Sequence, residues 1–224
     1  MPTHTAMILS YTEENYLKAL LKLSFENGTE EAGTNELAAL LSVKPATVSD
    51  MLKKLKEKEL VEYKKYGKIT LTVIGKKYAI DVLRKHRLWE TFLYEKLDFS
   101  WDEVHEVAEQ LEHIHSEKLV DKLDKFLAYP QFDPHGDPIP NKKGEMKVHY
   151  KKTLADVAVG TSCKMVAVKD NSSLFLQYVV KLGLGINNKI HIVSKQEYDA
   201  LLHIKVNGVI SSVSQKFAEN IFVV

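Results

Sequence analysis

The feature that most constrains the fold is a change in hydrophobic period along the chain. From residue 10 to about residue 129, apolar residues recur every three or four positions, which is the spacing of helices that bury one face. From residue 164 onward, short runs alternate apolar and polar or are rich in β-branched residues, which is typical of strands. A proline-rich segment, 130–140, separates the two patterns. The sequence therefore predicts a chain that is mainly α with small β parts.

Residues 10–58 are predicted to form three helices. Ser10 or Thr12 is a candidate cap for the first helix, and Thr34 is expected to cap the second. Pro45 follows a short break and stands where the first turn of a helix tolerates proline. Two short helices, a tight break and a third helix form the pattern of a helix-turn-helix.

Two β-rich runs flank a turn at Tyr66-Gly67 directly after the third helix. A hairpin at this place indicates the winged variant of the motif, so residues 1–74 are predicted to be a DNA-binding domain. In that arrangement the third helix enters the major groove and nearby lysines meet phosphates. The residues expected at this interface are Lys44, Ala46, Thr47, Ser49, Asp50, Lys53, Lys54, Lys64, Lys65 and Lys68.

Residues 75–145 are predicted to form a helical domain that mediates dimerisation. Their apolar residues exceed what one helix pair can bury, and a twofold reader of palindromic DNA needs an interface between protomers. The acidic residues of this domain are concentrated between residues 90 and 121, where Lys96 and Lys118 are the basic residues. Charge alone favours the simpler interpretation of a solvated acidic helix face.

Within this acidic stretch, histidines and carboxylates recur at helical spacing. His105 and the residues four, seven and eight positions later are expected on one face of a helix, and His86 and Glu90 stack on the preceding helix. Clustered carboxylates repel one another unless a cation neutralises them, and a mixed oxygen and nitrogen set without thiolate suits Mn²⁺ or Fe²⁺. The candidate metal ligands are His86, Glu90, His105, Glu109, Glu112 and His113. By contrast, His135 and Asp137 in the proline-rich loop are interpreted as turn residues.

These residues also carry a resemblance to a known family. The run Leu83-Arg84-Lys85-His86-Arg87-Leu88-Trp89-Glu90, followed by Val104-His105 and Glu109-x-x-Glu112-His113, resembles the diphtheria toxin repressor family of iron- and manganese-dependent regulators. The loop His135-Gly136-Asp137-Pro138-Ile139-Pro140 is similar to a segment of the same family. The resemblance implies that residues 146–224 form an SH3-like β-barrel of the FeoA type.

The resemblance further implies two neighbouring metal positions. One would be held by His86, Glu90 and His105. The other would be held by Glu109, Glu112 and His113, with Asn15 contributed by the first helix. Glu109 stands where iron-type members carry cysteine, which favours manganese. Two departures from the family pattern are Asn15, in place of methionine or aspartate, and Lys18, in place of a glutamate that a manganese-type member uses. A carboxylate such as Asp170 in the C-terminal barrel is a further candidate ligand.

The function predicted from these features is a metal-dependent transcriptional repressor. Its cofactor would be Mn²⁺ (or Fe²⁺), and its partners would be palindromic double-stranded operator DNA and a second copy of the chain. With one cysteine, Cys163, and no long uncharged apolar segment, a cytoplasmic location away from membranes is expected. The alternatives are a winged-helix regulator that senses an organic ligand, with a structural His/Glu cluster, and a metallohydrolase. No nucleophile or general-base motif supports an enzyme.

Overall fold

The computed structural model describes residues 7–64, 67–146, 152–196 and 198–224. The chain divides into two compact units, and both are discontinuous in sequence. The first runs to Lys85 and also includes Glu112–His115 and Pro140–Glu145; the second is formed by His86–Leu111, Ser116–Ile139 and the chain from Met146 onward. The three domains with boundaries 1–74, 75–145 and 146–224 remain a prediction, because this division follows contacts rather than those boundaries.

The first unit contains the predicted winged helix-turn-helix. Its three strands, β1 (Ala32–Gly33), β2 (Val61–Tyr63) and β3 (Lys68–Leu71), pair antiparallel in the order β1-β3-β2. Leucines from the first three helices, such as Leu17, Leu37 and Leu52, are fully buried in one core with Ile69 of the wing. The described elements are α1 (Tyr11–Asn27), β1 (Ala32–Gly33), α2 (Thr34–Leu40), α3 (Pro45–Glu57), β2 (Val61–Tyr63), β3 (Lys68–Leu71) and the part of α4 (Val73–Leu97) up to Lys85.

The starts of these helices follow from local hydrogen bonds. Ser10 caps α1, because its hydroxyl accepts from the Glu13 amide while the Glu13 carboxylate accepts from the Ser10 amide. Pro45 is the first residue of α3, as predicted. The prediction that Thr34 caps α2 is wrong, because the cap is Gly33. Gly33, which pairs with Lys68 in the wing, is the extended residue before the helix, so α2 begins at Thr34, one residue earlier than predicted.

In the second unit, α4 continues from His86, and the chain then forms α5 (Val104–Leu111) and α6 (Glu117–Phe126). Leu88, Val104 and Leu123 are among the buried residues of these helices. The expectation of one helical face from His105 to residue 113 is wrong. Helix α5 ends at Leu111, and the next two residues form a turn that belongs to the first unit.

The C-terminal part of the second unit is a five-stranded antiparallel sheet. Its strands are β4 (Ser162–Val168), β5 (Lys189–Lys195), β6 (Leu202–Val206), β7 (Val209–Val213) and β8 (Ile221–Val223). Their order in the sheet is β7-β6-β5-β4-β8, and among the described residues the end strands β7 and β8 do not pair. The SH3-like prediction is thus confirmed in its strands, but the sheet is not closed into a barrel. Helix α7, which the strand patterns did not predict, buries Leu176 against the sheet core. The elements are β4 (Ser162–Val168), α7 (Ser173–Lys181), β5 (Lys189–Lys195), β6 (Leu202–Val206), β7 (Val209–Val213), α8 (Gln215–Ala218) and β8 (Ile221–Val223).

Over the described ranges, no helix of either unit combines the length and the apolar character that crossing a bilayer requires.

Candidate metal centre and DNA-binding surface

Three of the predicted metal ligands converge in the second unit. His86 and Glu90 lie one turn apart on α4, and His105 lies on α5. Glu90 Oε1 is 3.0 Å from His86 Nε2 and 3.1 Å from His105 Nδ1, and the two ring nitrogens are 3.1 Å apart. His86 and Glu90 are buried, whereas the His105 side chain is 45% exposed. The three donor atoms therefore form a compact triangle that is open to solvent on one side.

This donor set fits a divalent transition metal. Adjacent ligands of an octahedral ion with bonds of about 2.1 Å lie about 3.0 Å apart, and the three donor atoms have this spacing. Imidazole nitrogens with a carboxylate oxygen and no thiolate suit Mn²⁺ or Fe²⁺. The two ring nitrogens also point at one another, so either a proton or a shared cation must lie between them.

Glu109 lies on the other side of the same two histidines. Its Oε1 is 3.7 Å from His105 Nε2 and 3.9 Å from His86 Nδ1, the ring nitrogens that do not face Glu90. A carboxylate at the second nitrogen of a ligating histidine orients the ring and raises its basicity. Glu109 thus lies near the ring nitrogens of His86 and His105 that face away from Glu90, and its assignment to the second metal position remains a prediction.

His135 was interpreted as a turn residue, but its side chain is fully buried beside Glu90. Its Nε2 donates to the Trp101 carbonyl oxygen at 2.9 Å. Its Nδ1 lies 3.8 Å from Glu90 Oε2 and has no hydrogen-bond partner in the described part of the chain. Donor atoms of Glu90, Asp133 and His135 all lie within 4.8 Å of one another. These residues therefore extend the donor set on the buried side of Glu90.

The loop that presents His135 is held by Asp133 and Arg87. Asp133 Oδ1 accepts from the backbone amides of His135 and Asp137, which is the turn chemistry that the sequence predicted. The Arg87 guanidinium lies 3.6 Å from Asp133 Oδ2 and donates to the Pro138 carbonyl. The missed signal was a histidine between Pro134 and Gly136, where the tight loop directs the ring inward.

The electrostatics of this cluster call for positive charge. Burial alone would raise the pKa of Glu90, but the charge of His86 and hydrogen bonds from His105 and His86 hold that pKa well below its usual value. Burial opposes the charged form of His135, yet the nearby negative charge of Glu90 raises the pKa of His135 to about 9. Burial, with repulsion from Asp137 and Glu90, raises the pKa of Asp133 well above its usual value. In the absence of a metal ion, a proton on His135 supplies part of the missing charge.

Three of the remaining predicted ligands, Asn15, Glu112 and His113, lie in the first unit. Lys18 Nζ is 2.7 Å from both carboxylate oxygens of Glu112. The His113 ring contacts the carboxylate of Glu14, a residue that the sequence reasoning did not select. The amide oxygen of Asn15 is buried without a hydrogen-bond partner among the described residues. Asp170, the weaker candidate, lies in the second unit, where its Oδ1 accepts from the Ser172 amide two residues later.

The predicted DNA-contacting residues lie mainly on exposed parts of the winged helix-turn-helix. The Ser49 hydroxyl is turned back onto the Pro45 carbonyl oxygen, and Lys53 pairs with Asp50 one helical turn earlier. Lys65 lies outside the described residues. The exposed residues are Lys44, Ala46, Thr47, Asp50, Lys53, Lys54 and Lys64, and the half-buried ones are Ser49 and Lys68.

Models of three protein families match the chain in succession. The N-terminal DNA-binding domain of iron-dependent repressors matches residues 8–69, and their metal-binding and dimerisation domain matches residues 72–141. The FeoA domain matches residues 152–224. This succession of domains, with the winged helix-turn-helix and the His/Glu centre, defines a metal-dependent transcriptional regulator.

Individual relatives agree with this class. A solved structure described as a manganese-dependent transcriptional repressor in complex with manganese is 31% identical, with a TM-score of 0.84, and the match covers 95% of this chain and 99% of that one. The manganese regulator SloR is 33% identical, with a TM-score of 0.75, over 95% and 97% of the two chains. The chain therefore belongs to the diphtheria toxin repressor family of iron- and manganese-dependent transcriptional repressors.

Curated sequences match over a shorter stretch. The iron-dependent repressor IdeR of Mycobacterium leprae is 34% identical over 129 residues, which are 58% of this chain and 55% of that protein. The chain thus spans about half the length of this curated relative. The relatives named here are described as transcriptional or iron-dependent repressors or, for SloR, as a manganese regulator, and none supports sensing of an organic ligand.

Proposed function

We propose that this chain is a homodimeric repressor whose affinity for DNA depends on a divalent ion bound by His86, Glu90 and His105. The observation that carries the proposal is the convergence of their three donor atoms at 3.0–3.1 Å, in a chain that also contains a winged helix-turn-helix. His135 extends this set from the buried side, and Glu109 Oε1 lies 3.7 Å from His105 Nε2 and 3.9 Å from His86 Nδ1.

The ion that the centre suits is Mn²⁺ or Fe²⁺. A bound ion would supply positive charge beside the buried Glu90 carboxylate. Its coordination bonds to His86, Glu90 and His105 would also link α4 to α5. The carboxylate of Glu109 offers oxygen where a thiolate would favour softer metals, so Mn²⁺ is the preferred assignment. His86 and His105 must be deprotonated to bind the ion, and metal affinity is therefore expected to fall as the pH is lowered.

Metal binding and DNA binding are coupled in this proposal through a shift in population. An ion that binds the DNA-competent conformation more tightly raises its share, and DNA must tighten metal binding by the same factor. A coupling of about 1–3 kcal/mol is typical of such systems. Because the target is chromosomal DNA, the proposal also places the protein in the cytoplasm.

The N-terminal part of α3 is proposed to face the bases of a palindromic operator. Ala46 and Thr47 are exposed there, and short methyl-bearing side chains suit close approach to thymine methyl groups. The phosphates are proposed to be contacted by Lys44, Lys53, Lys54, Lys64, Lys65 and Lys68, while Ser49 and Asp50 lie along the same helix. Lys56, which lies over the Tyr63 ring at 5.2 Å, is an additional exposed cation between α3 and the wing.

Exposed apolar side chains of the second unit support a homodimer. Leu97 at the end of α4 is 51% exposed, and Phe126 and Tyr129, at and after the end of α6, are 64% and 63% exposed. Aromatic residues at this exposure are enriched in interfaces between protomers. A twofold assembly would present two winged helix-turn-helix domains to the two halves of a palindrome.

The test is DNA binding by the full chain with and without metal. DNA selected from a random pool in the presence of Mn²⁺ provides the probe, and fluorescence anisotropy provides the affinity at fixed salt. We expect Mn²⁺ to tighten binding about 5- to 150-fold, the range that the coupling implies. His86→Ala should lose this response, whereas His203→Ala, a histidine on β6 outside the centre, should keep it. Equal affinity of the unsubstituted chain with Mn²⁺ and with a chelator would refute the proposal.

A further inference from the structure

A second cluster of ionisable groups, in the first unit, differs from the metal centre in its charge balance. It contains the buried carboxylates of Glu14 and Glu112 and the ammonium groups of Lys18 and Lys85. Lys85 Nζ lies 3.9 Å from Glu14 Oε1, and both side chains are at most 4% exposed. Lys85 is also 3.8 Å from the exposed Asp81 carboxylate. The two buried negative charges thus lie with two positive charges that belong to the chain itself, one of which is shared with Asp81.

Lys18 holds Glu112 in the manner of a bound cation. Its Nζ is 2.7 Å from each carboxylate oxygen, the Glu112 side chain is 0% exposed, and that of Lys18 is 15% exposed. A carboxylate that is buried and engaged through both oxygens has little reason to accept another cation. A divalent ion would have to displace an ammonium group that could not easily be solvated elsewhere, or approach it against strong repulsion.

The surroundings of this ion pair otherwise look like a metal site. The Glu14 carboxylate accepts from His113 Nδ1, which leaves His113 Nε2 facing Glu112 Oε1 at 3.7 Å. This carboxylate–histidine arrangement is the one that orients ligating histidines. The amide oxygen of Asn15 is buried and has no partner among the described residues. Oxygen and nitrogen donors that could bind a metal ion are therefore present, but the Lys18 ammonium already occupies the Glu112 carboxylate as a cation.

We propose that the Lys18 ammonium replaces the second metal ion, so that each protomer binds a single divalent ion, at the His86, Glu90 and His105 centre. The inference rests on the proposed function for the existence of that first ion. Lys18 is the residue that determines the stoichiometry. Glu112, His113 and Asn15 then serve as a permanent ion-paired cluster that requires no metal.

The experiment measures Mn²⁺ bound per protomer, by calorimetric titration of the full chain and by metal analysis after dialysis. The unsubstituted chain should bind one ion. Glu112→Gln should leave this number at one, and His86→Ala should lower it to zero. Lys18→Gln should raise it to two, because Glu112, His113 Nε2 and Asn15 then lack a cation. The double variant Lys18→Gln with Glu112→Gln should return to one.

Lys22→Gln is the matched control, since Lys22 is exposed and lies one turn further along α1. It should bind one ion. Two ions on the unsubstituted chain, with one lost in Glu112→Gln, would overturn the inference while leaving the proposed function intact. A folded Lys18→Gln that still binds one ion would also overturn it. No ion on the unsubstituted chain would overturn the proposed function as well. If Lys18→Gln fails to fold, the unsubstituted chain and Glu112→Gln still decide.

Discussion

Gly136 is the position where one added methyl group should affect both stability and the metal centre. Its φ of +88° lies in the region that favours glycine. A Cβ atom there would lie 2.1 Å from the Val166 carbonyl oxygen and 2.7 Å from Ala167 Cα, both in the backbone of β4. The preceding residue, His135, is tied to the same strand because its carbonyl oxygen accepts from the Val168 amide at 3.1 Å.

The cost of Gly136→Ala can be estimated from these contacts. A positive φ costs an L-residue about 1–2 kcal/mol, and forcing a group into a filled space costs about 1–3 kcal/mol. The sum is about 2–5 kcal/mol. In a chain of this size, 1 kcal/mol lowers the thermal midpoint by about 2–4 °C. We therefore expect the midpoint of the unit that contains Gly136 to fall by about 4–20 °C.

Gly160→Ala is the matched control for the steric part of this estimate. Gly160 lies in the same unit with a φ of +78°, but a Cβ atom there would have no neighbour within 4 Å. The Gly160→Ala variant should lose only the cost of the positive φ, about 1–2 kcal/mol, from its free energy of unfolding. Thermal unfolding followed by circular dichroism, with a chelator present, measures both variants without a contribution from bound metal.

A second assay separates a general loss of stability from an effect on the centre. Because His135 moves with Gly136, the Mn²⁺ affinity of Gly136→Ala should fall about 10- to 100-fold, as is typical when the residues supporting a ligand are disturbed. Gly160→Ala should bind Mn²⁺ normally. Equal midpoints for the two variants would refute the steric argument. Unchanged Mn²⁺ affinity in a folded Gly136→Ala would refute the place of His135 beside the centre.

Three further predictions concern metal choice, DNA and acid stability. Glu109→Cys should shift the metal ranking, measured by competition titration, toward softer ions such as Zn²⁺, because it puts a thiolate beside His86 and His105. Lys54→Ala should weaken DNA binding at all sequences and reduce the slope of log affinity against log salt by about one, whereas Lys76→Ala, whose ammonium pairs with Glu30, should leave the slope unchanged. Hydrogen bonds from the Thr153 hydroxyl and amide lower the pKa of Asp156, so its stabilising effect is present above the unfolded pKa of about 3.9 and is lost as the pH falls through the lower folded value. Asp156→Asn should therefore show a shallower loss of stability on acidification below about pH 4 than the unsubstituted chain, measured by denaturant unfolding; an identical slope would contradict the assignment.

Much of the fold was predictable because local patterns report which faces are buried. Alternation in β4 to β8, the capping residues of α1 and the proline of α3 each indicate an element without reference to the rest of the chain. Where tertiary contacts override a local preference, prediction failed. The cap of α2 is Gly33 rather than Thr34 because a strand pairs there, and α5 ends at Leu111 although its spacing continues to His113.

The same division holds for the candidate site. His86 and Glu90 share a helical turn, so their proximity follows from spacing, and His105 was predicted beside them by its residue type. Glu14 and its partner His113 are 99 positions apart in the sequence, and Lys18 and its partner Glu112 are 94 positions apart. No local pattern indicates such contacts.

The sequence by itself therefore determined the order of winged helix, ligand-bearing helices and C-terminal strands, because hydrophobic period and turn residues act over a few positions. The tertiary structure alone decided that His135 is buried against Glu90 and that a lysine ammonium lies on Glu112. The physical reason is that the charge balance of a buried site depends on which groups, distant in sequence, the packed core brings within a few ångströms. The low local dielectric strengthens the electrostatic energy of each such contact.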